Sequence, residues 1–245
     1  MKRVRLDQRV VELGLAESRE KAQRLIRAGS VRVGGHPLTK PGHEIRDEEI
    51  TVTQPERFVS RGGGKLDAAF QHFGLDVEGL ICLDVGASTG GFTDCLLQHG
   101  AARVYAVDVG RGQLHWKLQQ DERVVVMDEI NARHLAPDAF PDRPAFAVVD
   151  VSFISLTKIL PAVREVLADE GRLVTLIKPQ FEAGREQVGR GGVVRDPAVR
   201  AEVVERVRRF GESELALEWI GVCESPLPGP AGNVEFLAYW RKAGP

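Results

Sequence analysis

Apolar residues fall at helical spacing near the start of the chain. They form two sets, Leu6, Val10 and Leu13, followed by Ala22, Leu25 and Ile26. Gly14 separates the sets and Ser18 precedes the second, so the spacing predicts two short helices, one ending at the glycine and one capped by the serine. Alternation over 31–33 and turns at 34–35 and 41–42 predict small strands packed on these helices.

Longer apolar runs predict a sheet in the remainder of the chain. The predicted strands span residues 80–85, 104–107, 124–127, 146–149, 173–177 and 233–240. An amphipathic helix opening at Lys65 precedes the first of these strands, and a glycine turn followed by another helix comes directly after it. Strand, turn and helix in this order predict an α/β fold with an open, mostly parallel sheet.

The composition is that of an ordinary globular protein. The 245 residues include 33 Lys and Arg against 35 Asp and Glu, and 43% are hydrophobic, which excludes disordered, collagen-like and coiled-coil proteins. No apolar run approaches the roughly 18 residues of a membrane span, and no apolar signal segment follows the N-terminus, so we expect a cytoplasmic protein. Cys82, Cys95 and Cys223 have neither disulfide nor zinc-site spacing, and no metal is predicted.

Charge is distributed unevenly along the chain. Residues 1–46 contain eleven Lys and Arg against five acids, a net charge of +6, so the rest carries −8. Lys21, Arg24 and Arg27 recur every three residues on the second helix, opposite its apolar face. A basic unit joined to an acidic body is expected where a module binds a polyanion, although a solvated surface gives the same pattern. The predicted organisation is a basic module at 1–53, a linker at 54–63 and a body at 64–245.

Three segments of the basic module carry a family resemblance. Residues 5–7, 18–22 and 26–35 resemble the small RNA-binding domain named after the fourth protein of the small ribosomal subunit. The resemblance covers residues 5 to about 52 and implies an α+β domain that binds structured RNA rather than DNA or a membrane. Cations would neutralise phosphates, and shape would select a folded RNA. The RNA contacts implied are Arg5, Arg9, Arg19, Lys21, Arg24, Arg27 and Arg32.

The glycine turn of the body distinguishes two cofactor classes. A dinucleotide site favours G-x-G-x-x-G, whose central glycine admits a pyrophosphate, whereas Ser88 holds that position here. The run Asp-Val-Gly-Ala-Ser-Thr-Gly-Gly-Phe at 84–92 is similar to the first motif of S-adenosylmethionine-dependent methyltransferases, whose cofactor has no phosphate. Three later strands end in Asp108, Asp128 and Asp150, and strand-terminal polar residues gather at the ligand-facing edge of a parallel sheet.

This similarity implies S-adenosylmethionine as the cofactor. It places Asp84 near the methionine ammonium and Asp128 near the adenine amine. Asp108 lies eighteen residues after Gly90, a spacing that suits a carboxylate accepting both ribose hydroxyls. The other implied cofactor contacts belong to the turn itself: Gly86, Ser88, Gly90, Gly91 and Phe92.

Four further residues match the catalytic set of FtsJ-like ribose 2′-O-methyltransferases. That family has a lysine, an aspartate, a lysine and a glutamate in this order, which here are Lys65, Asp150, Lys178 and Glu235. With the RNA-binding module, the match points to the TlyA family of rRNA cytidine 2′-O-methyltransferases, whose members are also called haemolysins. It implies a Rossmann-like class I fold with a seven-stranded, mostly parallel sheet and an antiparallel strand around Glu235. The implied partner is 16S and/or 23S rRNA, free or in ribosomal subunits.

The chemistry explains why such a set is useful. A ribose hydroxyl is a weak nucleophile at neutral pH, whereas a sulfonium methyl is already activated, so deprotonation and alignment remain to be done. We expect Lys178 to be the base and Lys65 to steady the developing alkoxide. Asp150 and Glu235 are expected to orient the two amines.

A glycine-rich, basic loop follows Lys178 over 182–196. Its length suits a lid, and Arg185, Arg190 and Arg195 would grip phosphates there, although a plain surface loop fits the pattern equally. Three phenylalanines are candidates either for stacking on a flipped base or for core packing: Phe92, Phe153 and Phe181.

Two other function classes stay open at this stage. A non-catalytic RNA-binding or ribosome-assembly protein would require an eroded cofactor turn or catalytic set. A pore-forming haemolysin conflicts with the missing signal and the missing apolar span. The chain also departs from the Arg-x-Trp-Val that some family members have between the domains, since 56–59 read Glu-Arg-Phe-Val, which leaves open any coupling between RNA docking and cofactor affinity.

Overall fold

The computed structural model describes residues 3–53 and 57–244. The chain forms two compact units, Met1–Glu56 and Arg57–Pro245. Residues 54–56 of the predicted linker lie outside the described residues, and residues 57–63 belong to the second unit. Phe58 is buried in that unit and the Val59 N–H donates to Asp94 at 2.8 Å, so this part of the predicted linker is packed.

The first unit combines two helices with short strands. Its elements are β1 Val4–Arg5, α1 Leu6–Glu12, α2 Arg19–Arg27, β2 Val31–Val33, β3 His36–Pro37, β4 Glu44–Ile45 and β5 Ile50–Val52. β1 pairs antiparallel with β4, and β2 lies between β3 and β5 in a three-stranded antiparallel sheet. The small α+β domain expected from the sequence is therefore confirmed.

Most of the predicted detail of this unit is also found. The Ser18 hydroxyl accepts a hydrogen bond from the Lys21 N–H and caps α2, which satisfies one of the unpaired amides of the first helical turn. Leu6, Val10, Ala22 and Ile26 are fully buried. Leu13, predicted to face inward, is 47% exposed because α1 ends at Glu12 and the chain has already turned.

The second unit is a sheet with helices on both faces. Its helices are α3 Gly62–Phe73, α4 Gly91–Gln98, α5 Trp116–Gln119, α6 Leu160–Val166, α7 Pro179–Glu182 and α8 Pro197–Leu215. Its strands are β6 Ile81–Val85, β7 Arg103–Val107, β8 Val124–Met127, β9 Phe146–Val149, β10 Arg172–Ile177, β11 Leu217–Glu224 and β12 Phe236–Lys242.

The seven strands are arranged in the order β11-β12-β10-β9-β6-β7-β8. β12 pairs antiparallel with both β10 and β11, whereas the other neighbours are parallel. This confirms the seven-stranded, mostly parallel sheet with one inserted antiparallel strand. The last strand begins at Phe236 rather than at residue 233, because the Asn233 side chain bonds the Val194 N–H and the Gly192 carbonyl and holds the preceding residues in a turn.

Alternation along the central strands produces two cores. Leu83 and Val85 of β6 pack with α6 and α8, whereas Cys82, the residue before Leu83, packs with α3 and α4. Both faces of the central strands are therefore covered, which leaves the carboxyl edge of the sheet as the place where polar side chains converge. Within 3–53 and 57–244, no helix has the length and hydropathy needed to cross a membrane.

Asp7 is the buried ion of the first unit. Its carboxylate accepts hydrogen bonds from Arg5 at 3.0 Å, Gln23 at 2.8 Å and Arg19 at 3.2 Å. Asp7 lies on α1, so these bonds join α1 to β1 and to α2. The hydrogen bonds from Arg5 outweigh desolvation and hold the pKa of Asp7 well below its usual range. Arg5 and Arg19, predicted to bind RNA, are thus also structural residues.

We expect Asp7→Asn to destabilise the first unit by about 1–3 kcal/mol, because three donors lose a buried, charged acceptor. A carboxyl with a depressed pKa stabilises the fold above its unfolded pKa, near 3.8, and this contribution is lost as the pH falls further. Amide hydrogen exchange of residues 6–33 in the full chain measures both effects. The exposed Glu12→Gln is the matched control, and equal exchange in the two variants would contradict the assignment.

Candidate active site

A pocket of about 280 Å³ lies at the carboxyl edge of the sheet. All four residues of the predicted catalytic set line this pocket: Lys65 on α3, Asp150 after β9, Lys178 after β10 and Glu235 before β12. Residues far apart in the sequence therefore converge where the strand ends meet, as the sequence predicted.

The four side chains form two ion pairs. Lys65 Nζ lies 2.5 Å from Glu235 Oε2, and Lys178 Nζ lies 2.5 Å from Asp150 Oδ1. Lys178 Nζ also donates to the Ser152 hydroxyl at 2.9 Å. Both lysines are only 9% exposed and Glu235 is 1% exposed, so each buried charge is matched by an opposite one.

Local backbone geometry sets the positions of Lys178 and Glu235. Pro179 follows Lys178 and begins α7, which ends β10 at Ile177 and leaves the lysine at the strand tip. Ile177 is paired with Phe236, so the residue before β12 lies beside the residue after β10. Gln180 donates from Nε2 to Glu235 Oε1 at 3.3 Å and connects the two segments.

The predicted glycine turn brings the main chain close to the pocket. Gly86 has a φ of +86°, and a Cβ there would lie 2.3 Å from the Asp150 carbonyl oxygen, so only glycine fits. Ser88 also has a positive φ, +48°, and its N–H donates to Asp108 Oδ2 at 2.8 Å. The turn is thereby fixed to the end of the neighbouring strand β7.

A second pocket, of about 520 Å³, continues from the first. The two share Gly86, Ser88, Asp150 and Ser152 in their linings, and Asp108 lines the larger one. Asp108 Oδ1 accepts a hydrogen bond from the Gly110 N–H at 2.7 Å, which holds the carboxylate in the lining of the larger pocket. Together the pockets have the size and mixed polarity of a site for a cofactor and a substrate group, for which about 300–1,000 Å³ is typical.

Asp84 is a fully buried carboxylate behind the glycine turn. The Thr93 hydroxyl donates to its Oδ2 at 2.7 Å, whereas its Oδ1 has no hydrogen-bond partner within the described part of the chain. Burial raises the pKa of Asp84 to about 7. Asp84 lines neither pocket, and its contact with the methionine ammonium stays a prediction.

Some predicted cofactor contacts are placed less directly. Gly91 and Phe92 line the smaller pocket, but Asp84, Gly90 and Asp128 line neither. Asp128 Oδ2 accepts from the Gly112 N–H at 2.8 Å, and Asn131 and Arg133 line the larger pocket beyond it. The adenine contact of Asp128 stays a prediction.

Apart from Arg5 and Arg19, which bond Asp7, the predicted RNA contacts fall into three groups. Arg9 and Lys21 pair with glutamates on their own helix or next to it, and Arg32 donates to the Gly35 carbonyl. Arg24 and Arg27 are exposed on α2 and make no ion pair within residues 3–53. In the second unit the loop arginines are exposed: Arg185, Arg190 and Arg195.

The three candidate stacking residues differ in exposure. Phe153 is 90% exposed and its ring centroid lies 4.9 Å from that of Phe181, whereas Phe92 is buried in the core below the smaller pocket. The exposed pair is therefore the better platform for a base, and Phe92 is first a packing residue.

Comparison with known proteins gives the family. Residues 58–242 match the family described as FtsJ-like methyltransferase, and residues 4–50 match the S4 domain. This chain belongs to the FtsJ-like methyltransferase family. The sequence resemblance stated for both parts of the chain is confirmed.

Relatives match this FtsJ-like methyltransferase over its whole length. The 16S/23S rRNA (cytidine-2′-O)-methyltransferase TlyA of Mycobacterium tuberculosis is 49% identical over 98% of this chain and 90% of the relative. Hemolysin A of Brachyspira hyodysenteriae is 46% identical over 97% of this chain and 99% of the relative. A solved structure from Streptococcus thermophilus, described as a hemolysin, superposes with a TM-score of 0.76 at 47% identity, covering 99% of this chain and 90% of that one.

Several site residues of this FtsJ-like methyltransferase were not identified from sequence. Ser152 bonds Lys178, Thr93 bonds Asp84 and Gln180 bonds Glu235. Ser152 could have been found, since it lies two residues after Asp150 in a matched segment. Thr93 and Gln180 carry no sequence signal of their own, because a polar residue in a first helical turn is common.

One group of possible metal ligands lies apart from the pockets. Asp67, Cys95 and His99 place ligand atoms within 4.8 Å of one another. Asp67 is already paired with Arg57 at 2.7 Å and with His99 at 2.9 Å, and burial raises the pKa of the Cys95 thiol. These contacts explain the group without an ion, and the absence of a metal stays a prediction.

We expect Asp84→Asn to stabilise the ligand-free protein at pH 8, because the folded state no longer has to ionise a buried carboxyl. The folded pKa is about 7 and the unfolded value is 3.8, so the folded state binds the proton more tightly and the cost of Asp84 grows as pH rises from 4 to 7. The gain in Tm should therefore be present at pH 8 and absent below about pH 4. Thermal unfolding at both pH values, with the exposed Asp138→Asn as control, measures it; an equal gain at both would contradict the burial effect.

Proposed function

We propose that this FtsJ-like methyltransferase transfers a methyl group from S-adenosylmethionine to the 2′-hydroxyl of a cytidine in ribosomal RNA, 16S and/or 23S. The observation that carries the proposal is the meeting of Lys65, Asp150, Lys178 and Glu235 in one pocket as two ion pairs. The S4 domain match and the name of the Mycobacterium relative support rRNA as the substrate class.

The cofactor residues follow from the polar groups around the glycine turn. S-adenosylmethionine, when bound, supplies a methyl group that its sulfonium has already activated. The free Oδ1 of Asp84 would accept from the methionine ammonium, and Asp108 would accept from the ribose hydroxyls. Gly86, which lines both pockets, leaves room for the cofactor to lie against the main chain.

In the proposed mechanism, Lys178 accepts the proton of the target 2′-hydroxyl. Asp150 at 2.5 Å balances the ammonium charge that this transfer creates, and the Ser152 hydroxyl at 2.9 Å fixes the position of the amine. Lys65 provides a second positive charge that steadies the oxygen as it loses its proton, and Glu235 orients Lys65. Alignment of the oxygen with the methyl carbon supplies much of the remaining rate.

Each unit has its own candidate RNA contacts. Arg24 and Arg27 on α2 would neutralise phosphates, and half-exposed Arg5 and Arg19 retain donors beyond those that hold Asp7. In the second unit, Arg185 and Arg190 would contact the backbone around the target nucleotide. The exposed Phe153 would stack on its base once that base has left the helix.

The function is tested by incubating the protein with methyl-labelled S-adenosylmethionine and intact small subunits, intact large subunits or free rRNA. Methylation should appear on a ribose oxygen of cytidine in at least one RNA, as found by nuclease digestion and mass spectrometry of the nucleosides. Label on a base, or no label on any substrate under conditions where the cofactor binds, would contradict the proposal.

We expect Lys178→Ala to lower the single-turnover rate of methyl transfer by about 100- to 10,000-fold, the contribution usual for a general base. Cofactor affinity should change little, because the Lys178 amine bonds Asp150 and Ser152 and, among the described residues, bonds none of the predicted cofactor contacts. Lys158→Ala, which removes an exposed lysine that lines neither pocket, serves as the control. Full turnover by Lys178→Ala would exclude it as the base, whereas Glu235→Ala is expected to be less severe.

A further inference from the structure

A carboxylate outside the catalytic set joins the two loops that carry it. Glu182 ends α7, four residues after Lys178. Its Oε1 accepts from the Leu156 N–H at 2.7 Å, and its Oε2 accepts from the Ser155 hydroxyl at 2.7 Å. Ser155 and Leu156 begin the short 3₁₀ turn Leu156–Lys158 that ends the loop after β9. Glu182 thus connects the loop after β10 to the loop after β9.

This connection is a firm one. Burial raises the pKa of Glu182, because it disfavours the charged carboxylate. Each carboxylate oxygen accepts one hydrogen bond, which favours the charged form and holds the side chain. The main chain of the same residue is also held, because its carbonyl accepts from Arg206 of α8 at 2.5 Å. Both the backbone and the side chain of Glu182 are therefore fixed.

The loop that Glu182 holds contains a strained residue. Phe153 has a φ of +64°, a left-handed conformation that is unfavourable for a non-glycine residue. Such a conformation persists only where both flanks are fixed. The start of the loop is anchored by the Asp150 N–H, which donates to the Val85 carbonyl at 2.9 Å. Its other end is anchored by Glu182.

We propose that Glu182 is a positioning residue for methyl transfer. By tying α7 to the loop after β9, it keeps the Ser152 hydroxyl within bonding distance of Lys178 and keeps Phe153 exposed beside Phe181. Glu182 itself lines neither pocket, so it acts through Ser152 and Phe153 rather than on the reacting atoms. The inference rests on the proposed function for its kinetic part and on the loop geometry for its structural part.

The kinetic test compares Glu182→Ala with Glu182→Gln. The alanine variant should lower the single-turnover rate about 10- to 100-fold, the loss that small misplacements of reacting groups produce. The glutamine variant should stay close to wild type, because its amide can accept from Leu156 and donate to the Ser155 oxygen. Glu186→Ala, an exposed glutamate four residues on, controls for loss of charge.

A double-mutant cycle with Ser152→Ala separates positioning from general stability. If Glu182 acts through Ser152, Glu182→Ala should cost much less in the Ser152→Ala background than in the wild type. If the fold-losses in rate caused by the two substitutions simply multiply in the double variant, the proposal is overturned. A glutamine variant as slow as the alanine variant would overturn it as well. Ser155→Ala removes one donor only and should give an intermediate rate, which keeps the test decisive if Glu182→Ala does not fold.

Amide hydrogen exchange of residues 151–157 without RNA provides a readout that does not depend on activity. Glu182→Ala should exchange faster there and Glu182→Gln should not, with the second unit otherwise unchanged. Faster exchange in a protein whose wild type methylates no RNA would contradict the proposed function and leave the tie standing. Unchanged exchange in Glu182→Ala would overturn the tie itself.

Discussion

The reversal of one strand is the constraint on which the candidate site depends. β12 runs antiparallel to β10, with Phe236 opposite Ile177, so the residue before β12 lies at the same edge as the residue after β10. Were β12 parallel, Glu235 would lie at the opposite edge, on the order of 20 Å away for a strand of this length. The Lys65–Glu235 pair, and with it the second positive charge of the pocket, exists only because that strand is inserted backwards.

The same edge concentrates charges that a fold ordinarily avoids burying. Lys65, Lys178 and Glu235 are nearly inaccessible, and each is tolerated because an opposite charge lies 2.5 Å away. Asp84 is different, since a single hydroxyl bonds one of its oxygens and its pKa is raised to about 7. The protein thus keeps a destabilising carboxylate behind the glycine turn, a feature typical of sites rather than of cores.

Much of this arrangement could be predicted from the sequence, and the limit has a physical reason. Apolar runs located β8 and β9 to the residue. β9 is fully buried and therefore needs a continuous apolar sequence, whereas the edge strand β8 has the same pattern although Val125 and Val126 are exposed. The order of Lys65, Asp150, Lys178 and Glu235 was enough to place them in one pocket. Which lysine pairs with which carboxylate was not predictable, since pairing depends on side-chain distances that neither spacing nor periodicity encodes.

The contacts that sequence reasoning missed share that origin. Arg5 and Arg19 were predicted to contact RNA, yet both also bond Asp7, a carboxylate that is buried in the first unit. Ser18 was predictable as a cap because its partner lies three residues away, whereas the partners of Glu182 lie 26 and 27 residues away. Local hydrogen bonds leave a signature in the sequence, and long-range ones between loops do not.

The two units differ in net charge, and in the proposed function RNA affinity and methyl transfer depend on different residues. Residues 1–56 carry a net charge of +2 and residues 57–245 carry −4, so the body that holds the proposed catalytic lysines would by itself repel a polyanion. Pairing each lysine with a carboxylate leaves the pocket without a net attraction for phosphate, which suits a reaction at a neutral ribose hydroxyl. Affinity for RNA must then come from exposed cations elsewhere, such as Arg24, Arg27 and the loop arginines. In the proposed mechanism, the pocket residues therefore serve proton transfer and alignment, and not RNA affinity.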